Sequence, residues 1–151
     1  MAVPILAGSM ELRLTTRAPM LSTVRESVNE FLASQGADAV FSYLVMSAAD
    51  EVVANVFEHA YHQEERNKRL VLTVHLQPRR VEIIVKDQGK PFRPPEKRPF
   101  DLAKHKRAGH QRGYGLFFIG KLMDSVKYRR HAGWNEIRLR KALPPGQIRP
   151  N

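Results

Sequence analysis

Residues 50–61 read Asp-Glu-Val-Val-Ala-Asn-Val-Phe-Glu-His-Ala-Tyr and lie inside a longer run whose apolar residues recur at helical spacing. Phe41, Leu44, Val45, Ala48, Val52 and Val56 form its stripe, and Asp38 stands where an N-cap belongs, so a core helix is predicted from Asp38 to about His62. Glu51, Asn55 and His59 follow one another at four-residue spacing and share a face of that helix with Leu44 and Ala48. Taken alone, a Glu and an Asn so placed are ordinary helix decoration. They gain meaning only if groups elsewhere join them.

Working outward, residues 10–16 alternate apolar and polar as a half-buried strand does, and Pro19 ends them. Leu21, Val24, Val28, Phe31 and Leu32 then mark an amphipathic helix over 20–34, with Gly36 as its stop. Downstream, 70–77 and 80–87 read as strands joined at Pro78-Arg79. The segment 90–112 holds prolines at 91, 94, 95 and 99, many basic residues and no apolar period, and a loop that long inside a domain is usually functional. Gly113-Tyr114-Gly115 leads into a short helix over about 116–123. Two last strands, 125–131 and 134–141, turn at Ala132-Gly133, with Tyr128 and Trp134 as strand core or edge aromatics. The order β-α-α-β-β-loop-α-β-β gives an α/β class, an α+β two-layer sandwich with a mixed, mostly antiparallel sheet and helices on one face. The other face then needs cover or a partner. One domain is expected over 1–142, followed by a loose tail at 143–151.

The 151 residues carry 25 Lys and Arg against 15 Asp and Glu, a net charge of +10. The charge is split: residues 1–65 hold 3 basic and 9 acidic side chains, and 66–151 hold 22 and 6. Such asymmetry points to an anionic partner for the basic half. With no cysteine and no basic-apolar-small leader pattern, the chain is expected in the cytoplasm. Asp50, Glu51 and Asn55 interrupt the apolar stretch 37–57 and argue against a membrane span.

Two further motifs complete the set. Lys86-Asp87-Gln88-Gly89 ends a strand, read as an edge strand closing against the loop, and Arg112-Gly113-Tyr114-Gly115-Leu116 opens a helix, where glycine-freed amides and the positive helix end can approach phosphate. Each alone has a bland reading, a common turn or tight packing. Their order, Glu51-x-x-x-Asn55-x-x-x-His59, then Asp87-x-Gly89, then Gly113-x-Gly115-Leu116, resembles the GHKL ATPase superfamily. Residues 50–61, 87–95 and 113–130 are similar to its small bacterial anti-sigma-factor serine/threonine kinases.

That resemblance implies a Bergerat-type ATP-binding fold with ATP and Mg2+ as cofactors. Asn55 resembles the magnesium ligand, and His59, a cofactor-binding candidate, reads with His62 as a surface or phosphate-proximal histidine. Asp87 resembles the carboxylate that accepts the adenine amino group, and Gly89 leaves room for the base. Gly113, Tyr114, Gly115 and Leu116 look like the phosphate-binding turn, and 90–112 like the lid. Glu51 would be the general base, which suits a transfer needing mostly positioning and charge neutralisation. The implied partners are an anti-sigma-factor antagonist as protein substrate and a sigma factor, and family members tend to form homodimers. Two departures stand out. Pro91 replaces a frequent second glycine, and Arg112 replaces a glycine before the phosphate turn, where it either binds phosphate or stiffens the turn. Surplus lid cations such as Lys104, Lys106 and Arg107 read as docking for an acidic partner, while Arg112 reads as a nucleotide contact.

Two other functions use the same residues differently. A non-catalytic module gated by ATP or ADP needs the same pocket and no base. A nucleic-acid-binding protein draws only on the basic half. His59-x-x-His62 lacks a third metal ligand at convincing spacing, and no Ser/His/Asp set has a nucleophile motif.

Overall fold

Two helices lie across one face of a five-stranded antiparallel sheet in the computed structural model, which describes residues 8–15, 20–60, 68–91 and 119–143. The strands are β1 (Gly8–Thr15), β2 (Arg69–Gln77), β3 (Arg80–Asp87), β4 (Ser125–His131) and β5 (Trp134–Ala142), in the spatial order β1-β2-β3-β5-β4. The helices are α1 (Met20–Ser34) and α2 (Ala39–Asn55), and α2 continues as a π-helical segment, Val56–Ala60. The expected α/β two-layer arrangement is present. The sheet is less mixed than expected, because all four strand pairings among the described residues are antiparallel.

Local chemistry accounts for the boundaries. Asp38 is extended and its carboxylate accepts the Phe41 N–H at 2.8 Å, which starts α2. Gly36, at φ 76°, takes the left-handed conformation that closes α1, while the Ala37 N–H returns to the Leu32 carbonyl at 3.0 Å. The β4–β5 hairpin turns on Ala132 and Gly133, both at positive φ (50° and 81°), as a two-residue turn matched to strand twist requires. Lys141 Nζ caps the helical turn at 119–122 through the Leu122 carbonyl at 2.6 Å.

The core lies between the layers. Val24, Val28 and Leu32 of α1 meet Leu70, Leu72, Val74 and Leu76 of β2 and Val81, Ile83 and Val85 of β3 in one buried cluster. Burying each such side chain contributes roughly 1.5–3 kcal/mol before entropy is counted. On α2 the buried stripe is Phe41, Val45, Ala48, Ala49, Val52, Val53 and Val56. Leu44 is only half-buried, a correction to the predicted stripe: with Ala49 and Val53 also buried, the stripe is centred further round the helix.

Asp87 also needs a correction. It does not end an edge strand, because β3 is the middle of the five strands and is paired on both sides. The edges are β1 and β4, which were separated from β3 by long stretches of sequence. At the far end, the Leu143 N–H bonds the Arg79 carbonyl at 2.8 Å and the side chain packs partly against the core. Residues 144–151 lie outside the described set.

Candidate functional site

Alternation along β3 turns Val81, Ile83, Val85 and Asp87 toward the helices, so the strand delivers a carboxylate to the end of an apolar row. Asp87 is 2% exposed and faces Leu70 on one side and Asn135 on the other. Its Oδ1 accepts the Gly89 N–H at 2.8 Å and the Asn135 amide Nδ2 at 2.9 Å. Neither bond uses Oδ2. Burial pushes the Asp87 carboxyl above its ordinary value, opposed in part by the bonds from Asn135 and Gly89 and by the Arg130 charge.

Asn135 is the centre of this network, and the motif reading missed it. Buried at 1% exposure, it donates through Nδ2 to Asp87 and also to the carbonyls of Gly89 and Lys90, both at 3.1 Å. Its Oδ1 accepts from the Tyr128 hydroxyl at 2.8 Å and from Arg130 Nη1 at 2.7 Å. Donors on one side of the amide and acceptors on the other fix which way it points. The polar clamp therefore comes from the edge hairpin β4–β5, and it pins the Asp-x-Gly turn from below. A signal existed in the sequence: Asn135 is in phase with Ile137 and Leu139 on the core side of β5, where an apolar residue is the default. Tyr128, read as a packing aromatic, contributes its hydroxyl as well.

On the helix layer, Asn55 is buried at the junction of α2 with the π-helical segment, where the Val56 N–H reaches the carbonyls of both Val52 and Val53. The π-helical turn that follows is wider than an α-helical one, and such turns are frequent at functional sites. Asn55 Nδ2 has no hydrogen-bond partner among the described residues, a costly condition for a buried amide. Glu51, one turn earlier, is half-exposed. Its neighbour Asp50 is tied to α1 by Arg25, whose Nε and Nη2 reach the two carboxylate oxygens at 2.9 and 3.4 Å. That fork fixes the helix register beside Glu51.

Since α2 packs on β3, Asn55 and Asp87 sit on the inner surfaces of the two layers. The structure thus brings Asp87, Gly89 and Asn135 into contact and sets Asn55 in the same interlayer space. His59 lies in the π-helical segment, and its side chain is outside the described residues. Arg112, Gly113, Tyr114, Gly115 and Leu116 also lie outside them, as do residues 92–112 of the expected lid. Ala39–Glu58 is long and apolar enough to cross a membrane by composition, and half of it is buried as the core helix.

Comparison with known proteins agrees with this arrangement. The model of the histidine kinase-like ATPase domain matches residues 14–141. The serine-protein kinase RsbW of Halalkalibacterium halodurans is 37% identical over 90 residues, covering 57% of this chain and 54% of that protein. The serine-protein kinase RsbW of Staphylococcus epidermidis is 26% identical over 146 residues, covering 94% and 91%. Among solved structures, the RsbU and RsbW domains of Rv1364c from Mycobacterium tuberculosis superpose with a TM-score of 0.65 at 21% identity, over 93% of this chain and 34% of that one, a likeness of fold. The match thus spans about half of the first relative and a third of the solved chain. With the two-layer fold, the Asp87 turn and the 14–141 match in agreement, the chain belongs to the histidine kinase-like ATPase domain family, and its curated relatives carry the name serine-protein kinase.

Proposed function

We propose that this chain is a cytoplasmic, ATP-dependent protein serine/threonine kinase and anti-sigma factor that phosphorylates an anti-sigma-factor antagonist and sequesters a sigma factor. The observation that carries the reading is the state of Asp87, a buried carboxylate with Oδ1 held by two donors and Oδ2 engaged by neither. Such an oxygen suits the exocyclic amino group of adenine and repels the 6-oxo group of guanine. Gly89 brings no side chain into the space beside it.

Magnesium fits the residues present. Asn55 offers one hard amide oxygen, Oδ1, for the ion, and its buried Nδ2, without a partner among the described residues, is left to donate to a phosphate oxygen; no cluster of three His, Cys, Asp or Glu side chains occurs among the described residues. A single protein ligand suits a cation that keeps several waters and is shared with phosphates. Asn55 would hold it, and the bound ion supplies charge neutralisation on the triphosphate. Glu51 takes the proton from a serine or threonine hydroxyl as its oxygen bonds the γ-phosphorus and the bond to the ADP oxygen breaks. Arg112 and the turn 113–116 complete the phosphate contacts in this reading.

Mass spectrometry of a purified antagonist incubated with the chain and Mg-ATP tests the activity. Added phosphate on one Ser or Thr, lost in Glu51→Gln, is the expected result. Nucleotide binding with no transfer to the antagonist would contradict the kinase assignment and leave a nucleotide-gated binding module.

A further inference from the structure

The face of the sheet turned away from the helices is the most unusual surface of the molecule. Among the described residues no helix covers it, yet it is not a plain solvated face. Glu82 and Glu136 are each only 8% exposed on it, with Glu82 held by Arg138 and Arg140, and Glu136 by Lys86, Arg129 and Arg138 at 3.6–3.8 Å. Burial raises the Glu82 carboxyl, but the Arg140 hydrogen bond and the charges of Arg138, Arg140 and Arg80 outweigh it and hold the group below its ordinary value. At one end of this face a cavity of about 700 Å³ opens across all five strands. Its cationic lining is Arg13, Arg69, Lys86 and Arg129, with His131 beside them; its acids are Glu11 and Glu136, and Trp134 is its one tryptophan. The volume lies within the range of ligand-binding clefts. The cavity is separate from the nucleotide site, because Asp87 and Asn135 point to the opposite side of the sheet.

Among the described residues the charge split of the sequence becomes a split between faces. Residues 20–60, the helix layer, hold Arg25 against six acids, and the opposite face of the sheet is basic. We infer that the basic sheet-face cavity docks a carboxylate-rich segment of a partner protein. Charge complementarity selects this occupant over the others. A second copy packed face to face by a two-fold axis would set one net basic lining against another. The chain's own 92–118 stretch holds seven Lys and Arg against two Asp and Glu, the same sign as the cavity. A single nucleic-acid strand carries a charge on every phosphate and stacks its bases on several aromatics. Here Glu11 and Glu136 interrupt the cations and Trp134 stands alone, whereas a polypeptide can place its carboxylates between the two acids.

Trp134 is the only tryptophan in the chain, so its emission reports this cavity alone. The test titrates the full chain with a deca-glutamate peptide at low salt, with and without saturating Mg-ADP, while following that emission. The expected result is a saturable change in both conditions, with affinity at least tenfold weaker in Arg13→Glu/Arg129→Glu. Both side chains are well exposed (82% and 69%), so the double variant should keep its melting profile. Lys121→Glu, on the helix side, should leave affinity within about twofold. No saturable change, or equal binding by the double variant, would overturn the inference. So would tighter binding of a ten-nucleotide oligothymidine, or sedimentation showing that the double substitution splits a wild-type dimer into monomers. The readout needs no nucleotide, so failure of the ATP reading would leave it intact.

Discussion

Asn135 and Asp87 face each other across β5 and β3 with the amide nitrogen of one 2.9 Å from the carboxylate oxygen of the other, both buried and in direct register. This pair joins the edge hairpin to the turn at Gly89. It converts a common Asp-x-Gly sequence into a fixed acceptor.

Removing the Asn135 amide should therefore act on Asp87. Burial already raises its pKa, and Asn135 is the leading group opposing that rise. Folding stability contributed by the protonated form is full below the unfolded pKa and is lost as pH rises through the folded one. Adenine recognition needs the charged form, so it should fail as pH falls through the same raised value. In Asn135→Ala the acid limb of Mg-ADP affinity should move to higher pH, with affinity at neutral pH down roughly tenfold, the loss of about one hydrogen bond to a charged group. An unmoved limb would separate the two residues.

Asn55 should show a trade of stability against binding. Because its Nδ2 is buried without a partner among the described residues, Asn55→Ala is expected to leave the nucleotide-free protein within about 1 kcal/mol of wild type by denaturant unfolding. Magnesium-dependent ATP affinity should fall far more than affinity measured in EDTA. Equal losses would remove Asn55 from the metal.

Glu51→Gln keeps the shape and removes the base. ATP affinity should stay within a few-fold while phosphate transfer to the antagonist drops by roughly 10² to 10⁴ in single-turnover assays. Unchanged transfer would end the assignment.

At the β4–β5 turn, Ala132 holds a left-handed φ of 50° that suits Asn far better. Ala132→Asn should raise stability by about 0.5–1 kcal/mol in chemical denaturation, because asparagine adopts this conformation at lower cost than alanine. A destabilised variant would mean the side chain serves the cavity wall it lines.

Much of this architecture was legible because its signals are local. The Asp38 cap, the α1 stripe and both hairpins are set by neighbours in sequence, and α1 spans the expected 20–34. The misplacements share a different cause. Calling Asp87 the end of an edge strand failed because strand order depends on where β5 inserts, and that is decided by packing of residues some fifty positions apart. Extending α2 as a regular helix to about 62 missed the π-helical segment, a change in hydrogen-bond spacing that leaves the apolar pattern intact. Glu51, Asn55, Asp87 and Gly89, the residues proposed for the site, are singled out by motif order, whereas Asn135, Tyr128 and Arg130 belong to no motif. Their roles arise from cross-strand register, which brings Asn135 beside a carboxylate 48 residues earlier.

The central claim is that Asp87 reads adenine. Titration calorimetry of the purified chain with Mg-ATP and Mg-GTP, for wild type and Asp87→Asn, tests it most directly. The account predicts one ATP site per chain, GTP at least tenfold weaker, and loss of most ATP affinity in Asp87→Asn with the melting profile retained. No heat with ATP, or equal affinity for ATP and GTP in the wild type, would contradict it.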